Sequence, residues 1–201
     1  GRRMRWNVVG IVVRTQSRDL VTAGSAQFFA QIIRAGRQLI VPLYASSVLG
    51  LGVEIIGVIG TVSAAIDMLM FLPAGVLMDR LGRKFASVPS FILLSLGMAL
   101  IPLVHNAPEL VLVTTLMGFG NGLGSGSMMT LGADLAPREM LGEFLGVWRL
   151  IGDAGTSIGP LIVGDIAHAV GLGSAALTLA AVGALSAATI AAFVRETLRP
   201  V

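Results

Sequence analysis

The residues able to do chemistry in this chain are few and narrowly spaced. Among 201 residues there is no cysteine, and the two histidines are His105 and His168. A thiolate nucleophile, a disulfide framework and a histidine-rich metal site are therefore ruled out. What remains is a sparse set of charged and amide side chains inside apolar runs. Gln27, Gln31, Arg34 and Gln38 share one helical face: their spacing confines them to an arc of roughly 60°. Arg37 stands beside this stripe. Asp67 follows Ser63 by one helical turn, and Asn121 and Ser125 lie in the glycine-rich "GFGNGLGSGS". Arg149 and Asp153 are again one turn apart, with Thr156 and Pro160 continuing their face. Groups of this kind bind polar ligands and exchange protons. They form no nucleophile–base pair, no paired catalytic carboxylates and no metal set. No enzyme activity, cofactor or metal is expected.

Each group has a blander reading. The glutamine stripe lines a water-filled pathway, or it makes hydrogen bonds between helices. Asp67 in apolar surroundings can take and release a proton, or it forms a static pair with Arg34, Arg37 or Arg149. Arg149 and Asp153 line a pathway, or they form a local ion pair.

The elements that hold these residues follow from composition. The chain is 55% hydrophobic and 12% charged, with 26 glycines, and its mean hydropathy is +0.87. A soluble domain must present a polar exterior that this chain lacks. It reads as an all-α integral membrane protein. Spanning helices need roughly 20 mostly apolar residues, and six such runs lie near residues 20–49, 54–78, 85–104, 108–133, 142–167 and 173–194. Strands are excluded by run length and by the cost of open sheet edges in lipid. Lysine and arginine collect in alternate connections: the N-terminal segment, loop 79–84, Arg138, and Arg195 with Arg199. The intervening loops, near 50–54, 104–109 and 168–173, hold none. The positive-inside rule then puts both termini in the cytoplasm. The expected organisation is a basic cytoplasmic segment over 1–19, a six-helix transmembrane bundle over 20–194, and a cytoplasmic tail over 195–201. The basic excess belongs to this topology and not to a nucleic-acid surface.

The connection "GVLMDRLGRK" spends Asp79, Arg80, Arg83 and Lys84 within six positions. Gly75 permits close helix approach there, and Gly82 permits a turn with positive φ. Gly75-x-Leu77-x-Asp79-Arg80-x-Gly82-Arg83-Lys84 resembles the loop signature of the major facilitator superfamily at every defined position, between the second and third helices of a six-helix half. "GVWRLIGDAGTSIGPLIVG" is similar to that family's antiporter motif: Gly146, Gly155, Gly159, Pro160 and Gly164 fit, and Val163 replaces one glycine of the final pair. "DLAPREMLGEFLG" and Arg195-Glu196-Thr197-Leu198 resemble further family segments.

The resemblance implies a secondary active transporter working by alternating access. This chain would be one six-helix half, read as the C-terminal half, with the N-terminal half as the alternative. It implies a complementary half, a small-molecule substrate, protons and lipid as partners, in the plasma (inner) membrane. Drug or metabolite efflux by proton antiport is the first expectation. Nutrient symport and a non-transporting assembly subunit are the alternatives. The substrate pathway would comprise Gln27, Gln31, Arg34, Gln38, Asp67, Asn121, Arg149 and Asp153. Gly75, Asp79, Arg80, Gly82, Arg83 and Lys84 would form the gating loop, and Gly146, Gly155, Gly159 and Pro160 a packing face.

Overall fold

The computed structural model describes residues 14–196. Arg2, Arg3 and Arg5, most of the 1–19 segment, and Thr197, Leu198 and Arg199 lie outside the described residues. Among the described residues the chain is helical with no strand. We label the helices α1 (Ser17–Ser47), α2 (Val53–Leu69), α3 (Phe71–Leu81), α4 (Arg83–Leu100), α5 (Ala107–Leu123), α6 (Ser127–Leu135), α7 (Leu141–Val170) and α8 (Leu172–Phe193). Short 3₁₀ turns at Ile101–Leu103 and Arg138–Met140 complete the order.

Among the described residues four helices are long and apolar enough to cross a membrane: Val53–Leu81, where α2 runs on into α3, and Arg83–Leu103, Arg138–Val170 and Leu172–Phe193. Two of the six expected runs differ for physical reasons. α1 is 31 residues long, but its polar stripe and two arginines dilute its apolar character. The run near 108–133 is broken: α5 stops after 17 residues, and a turn through Gly124–Gly126 separates it from α6. Gly126 takes φ 76°, a left-handed conformation that glycine adopts without steric cost.

The helices pack through glycine. On α7, Gly152, Gly155 and Gly159 lie against α1, where a Cβ would meet the Gln27 amide, the Phe28 carbonyl and the Ile32 carbonyl respectively. On α5 the four-residue spacing produces two faces. Gly118 and Gly122 lie against Ser63 and Asp67 of α2, and Gly120 and Gly124 against Ser90 and its neighbours on α4. Small residues at such contacts let backbones approach closely, which is how helices associate where lipid removes the hydrophobic drive. The core between them holds Phe91, Leu94, Phe144, Trp148 and Leu179, all fully buried, with Phe144 and Trp148 stacked at 6.3 Å. Gly57, Gly60, Gly75 and Gly164 have nothing within 4 Å of a built Cβ. The expected close approach at Gly75 is therefore not made among the described residues.

Hydrogen bonds identify the two ends of the bundle. At one end they join loop 79–84 to Asp134 at the end of α6 and to Glu196 beyond α8. At the other, the Tyr44 hydroxyl near the end of α1 donates to the Val104 carbonyl at 3.2 Å. There Asn106 caps α5: its side chain accepts from the Glu109 N–H at 3.0 Å and its amide donates to the Glu109 carboxylate at 2.7 Å. The Glu109 carboxylate also accepts from the His105 N–H. Asn106 and Glu109 thus bind each other reciprocally, a relative of the capping box that fixes where the helix starts.

Candidate functional site

Four helices converge on a cleft of about 490 Å³. α1 supplies Gln31, Arg34, Arg37 and Gln38; α2 supplies Ser63 and Asp67; α5 supplies Thr114 and Asn121; and α7 supplies Thr156. Apolar wall comes from Val41, Pro42, Ile56 and Ile59. The helical period brings Arg34, Gln31 and Gln38 to one face, as their spacing requires. Arg34 points between α4 and the α5–α6 break. Its Nη2 donates to the Gly124 carbonyl at 2.9 Å, and its guanidinium carbon lies 5.2 Å from the centroid of the Phe91 ring. The Nε of Arg34 is buried without a hydrogen-bond partner. At the break the Gly124 carbonyl gathers three donors, since it also accepts from the Ser127 N–H at 3.2 Å and the Ser127 hydroxyl at 2.8 Å. Arg37 reaches across the cleft to α2 and α5. Its Nη2 donates to Ser63 Oγ at 2.7 Å and its Nη1 to the Met117 carbonyl at 3.5 Å. Ser63 in turn donates to the Thr114 carbonyl at 2.7 Å.

Asp67 is half-buried, and its partner is an amide. Asn121 Nδ2 donates to Asp67 Oδ2 at 2.6 Å, while Oδ1 is buried without a partner. The static pairs weighed for Asp67 with Arg34, Arg37 or Arg149 are not among the ion pairs of the described residues. Helical spacing cannot say which helix faces which, and α5, not α1 or α7, brings the nearest donor.

A smaller cleft of about 220 Å³ adjoins the first, sharing Gln31 and Arg34 and adding Gln27, Trp148, Arg149 and Asp153. Gln27 belongs to this second cleft and is only 6% exposed, held against Gly152 of α7. Arg149 and Asp153 approach to 3.9 Å, with side chains 76% and 69% exposed. They form a loose surface pair and are not joined to Asp67. On the packing face, Gly155 and Gly159 are buried while Gly146 and Pro160 are half-buried.

The cleft adds Arg37, which stands beside the stripe, and Thr114, which no sequence pattern singled out; Thr156 lies on the Arg149–Asp153 face, as its spacing suggests, but lines the larger cleft. The signal for Arg37 was its pairing with Arg34 at i,i+3 on one apolar helix.

Loop 79–84 is organised around Arg83. Its Nη1 donates to Asp79 Oδ1 at 3.0 Å and to the Met78 carbonyl at 2.9 Å, and its Nε to Asp134 Oδ2 at 3.0 Å. Gly82 takes φ 108°, the positive-φ turn its position suggests. The first two backbone N–H groups of α4, from Arg83 and Lys84, donate to the Glu196 carboxylate at 2.8 and 3.1 Å. A carboxylate is favoured at a helix N-terminus, where unpaired N–H groups gather. Asp79 holds the Arg83 side chain. Lys84 Nζ donates to the Ala191 carbonyl at 2.8 Å, near the C-terminus of α8, where a cation is favoured. A Cβ on Gly82 would collide with the Glu196 carboxylate, so glycine is needed there for room as well as for φ. Arg80 is exposed.

The sequence profile of the Major Facilitator Superfamily matches residues 23–201. The chain belongs to that superfamily and is an integral membrane protein. It is 32% identical over 127 residues to the "Multi-drug resistance efflux pump PmrA homolog" of Lactococcus lactis subsp. lactis (strain IL1403), which covers 63% of this chain and 31% of the relative. Its fold is similar to that of a solved transporter of the POT family, in complex with a thioalcohol-conjugated peptide, with TM-score 0.78 and 19% identity. That likeness covers 92% of this chain and 39% of the other. The matched stretches thus cover well under half of either protein.

Proposed function

We propose that this chain forms one six-helix bundle of a secondary active transporter working by alternating access. The observation that carries the reading is the cleft of Arg34, Arg37, Asp67 and Asn121, built at mid-helix depth in a superfamily member. Charged groups at that depth cost several kcal/mol unless they face protein or a water-filled cavity. The cleft accounts for α1 as a fifth spanning helix, since its stripe is turned away from lipid. α5 and α6 together make the sixth crossing, and the lysine and arginine distribution puts both ends in the cytoplasm.

The bundle extends over 20–194, with a basic segment before it and a tail after it. All the cleft walls described above come from one bundle, and a complementary bundle supplies the opposite wall. The open glycines at 57, 60, 75 and 164 offer it close-approach positions. Asp79, Arg80, Arg83 and Lys84 serve as the gating loop. Asp67 is the group that carries the proton, the membrane is the plasma membrane, and efflux is the direction that the lactococcal relative, named an efflux pump, supports.

The test is flux in liposomes, using naphthalene-1-sulfonate, 1-naphthylmethylammonium and 1-naphthalenemethanol as probes. The 201-residue chain alone should show no gradient-driven flux of any of them. Co-expression with a complementary six-helix bundle should restore flux of at least one. A demonstrably monomeric preparation that still transports would overturn the half-transporter reading.

A further inference from the structure

We propose that the 490 Å³ cleft selects an organic anion, with a carboxylate, sulfonate or phosphate head group at Arg34 and Arg37 and an apolar body along Val41, Ile56 and Ile59. This rests on the reading of the cleft as the substrate site. The balance of charge carries it. Two guanidinium groups face the cleft, and Asp67 is the one acidic residue among those lining it. With Asp67 ionised the excess is one positive charge; with Asp67 neutral it is two. The sign is the same in either protonation state.

Neither arginine forms an ion pair with a carboxylate among the described residues. Their hydrogen bonds go to the Gly124 carbonyl, the Met117 carbonyl and the Ser63 hydroxyl. Those acceptors satisfy donors without cancelling charge. Asp67, the one carboxylate lining the cleft, is engaged by the Asn121 amide at 2.6 Å; its charge reaches both guanidinium groups through space and offsets one of the two. The other polar groups on the wall, Gln31, Gln38, Thr114 and Thr156, are neutral. An uncompensated cation in a low-dielectric setting is costly until an anion arrives. Planar guanidinium groups match the oxygens of carboxylate, sulfonate and phosphate. The cleft volume falls within the range of small-molecule sites, about 300–1,000 Å³.

The experiment measures equilibrium binding in lipid nanodiscs, by calorimetry, with the same three naphthalene probes and the chain assembled with its complementary bundle. Naphthalene-1-sulfonate should bind at least about tenfold more tightly than the ammonium or the alcohol, the factor expected of one charge-assisted contact. Arg34→Gln and Arg37→Gln should each lose about tenfold or more of sulfonate affinity. Arg138→Gln, on the exposed turn before α7, should lose nothing. Because an arginine variant can fail through misfolding, Asp67→Asn provides a change of opposite sign: removing the carboxylate should tighten sulfonate binding severalfold.

Equal or tighter binding of the ammonium or the alcohol overturns the proposal, as it would if the complementary bundle brought its own carboxylate to the arginines. So does binding of none of the three, or sulfonate affinity indifferent to both arginines. Sulfonate binding that meets these criteria without gradient-driven flux would sink the transport reading and leave the anion site standing. Flux without sulfonate preference would do the reverse.

Discussion

Alanine at Gly155 and alanine at Gly164 should move stability in opposite directions, although both lie on α7 nine residues apart. A Cβ at Gly155 would press on the Phe28 carbonyl oxygen and come within 3.1 Å of Gln31 Cβ. One is backbone and the other the first side-chain atom, so neither can swing aside. α7 would have to move off α1, and overpacking of this kind costs about 1–3 kcal/mol. At Gly164 nothing lies within 4 Å, and alanine there gains helix propensity of about 0.5–1 kcal/mol. The variants should therefore differ by on the order of 10- to 1,000-fold in their unfolding equilibrium. The assay is reversible unfolding of the chain in bicelles, followed by Trp148 fluorescence with Trp6 replaced by phenylalanine. Equal stability of the two variants, or a Gly155→Ala protein as stable as the parent, would refute the claim that the α1–α7 contact needs glycine.

Two further outcomes test the pathway and the loop. Asp134→Asn should slow transport in the assembled protein more than Asp79→Asn, because Asp134 is 30% exposed against 76% for Asp79 and solvent weakens the more exposed pair; both should leave probe affinity unchanged, and full-rate flux in both would remove loop 79–84 from gating. Single cysteines at Gln31 and Gln38, in this cysteine-free chain, should react quickly with a water-soluble thiol reagent, whereas cysteines at the buried Gln27 and Ile33 should react slowly; uniform labelling would dismiss the stripe as a lining.

Local chemistry was the legible part of this sequence. Gly82 announced its turn because few residues accept positive φ, whereas Asp79 and Arg83 lie on α3 and α4 and meet only across that turn. The four-residue glycine rows of α5 likewise foretold close packing. Long-range partners were not legible. Periodicity puts Asp67 on a face but does not name the helix opposite, so Asn121 was missed as its partner in favour of three arginines. The same blindness hid Glu196, which is 113 residues from Arg83 along the chain and reaches α4 because α8 packs beside it. Gln27 shows the limit of an arc argument: it shares the stripe with Gln31, yet Gly152 brings α7 over it and closes it off. Apolar length alone recovers four of the six runs, because α1 carries the site and α5 breaks to serve it.

Glu196 makes the end of the bundle behave as a hoop. The segment after α8 holds the start of α4, Lys84 holds the end of α8, and Arg83 ties both to the ends of α3 and α6. A torque on any one of these helices is therefore shared by the other three, and loop 79–84 cannot hinge alone. Rocking of this bundle would carry its whole rim as a rigid collar. The compliance would then fall elsewhere, at the Gly124–Gly126 break, whose last glycine lines the smaller cleft.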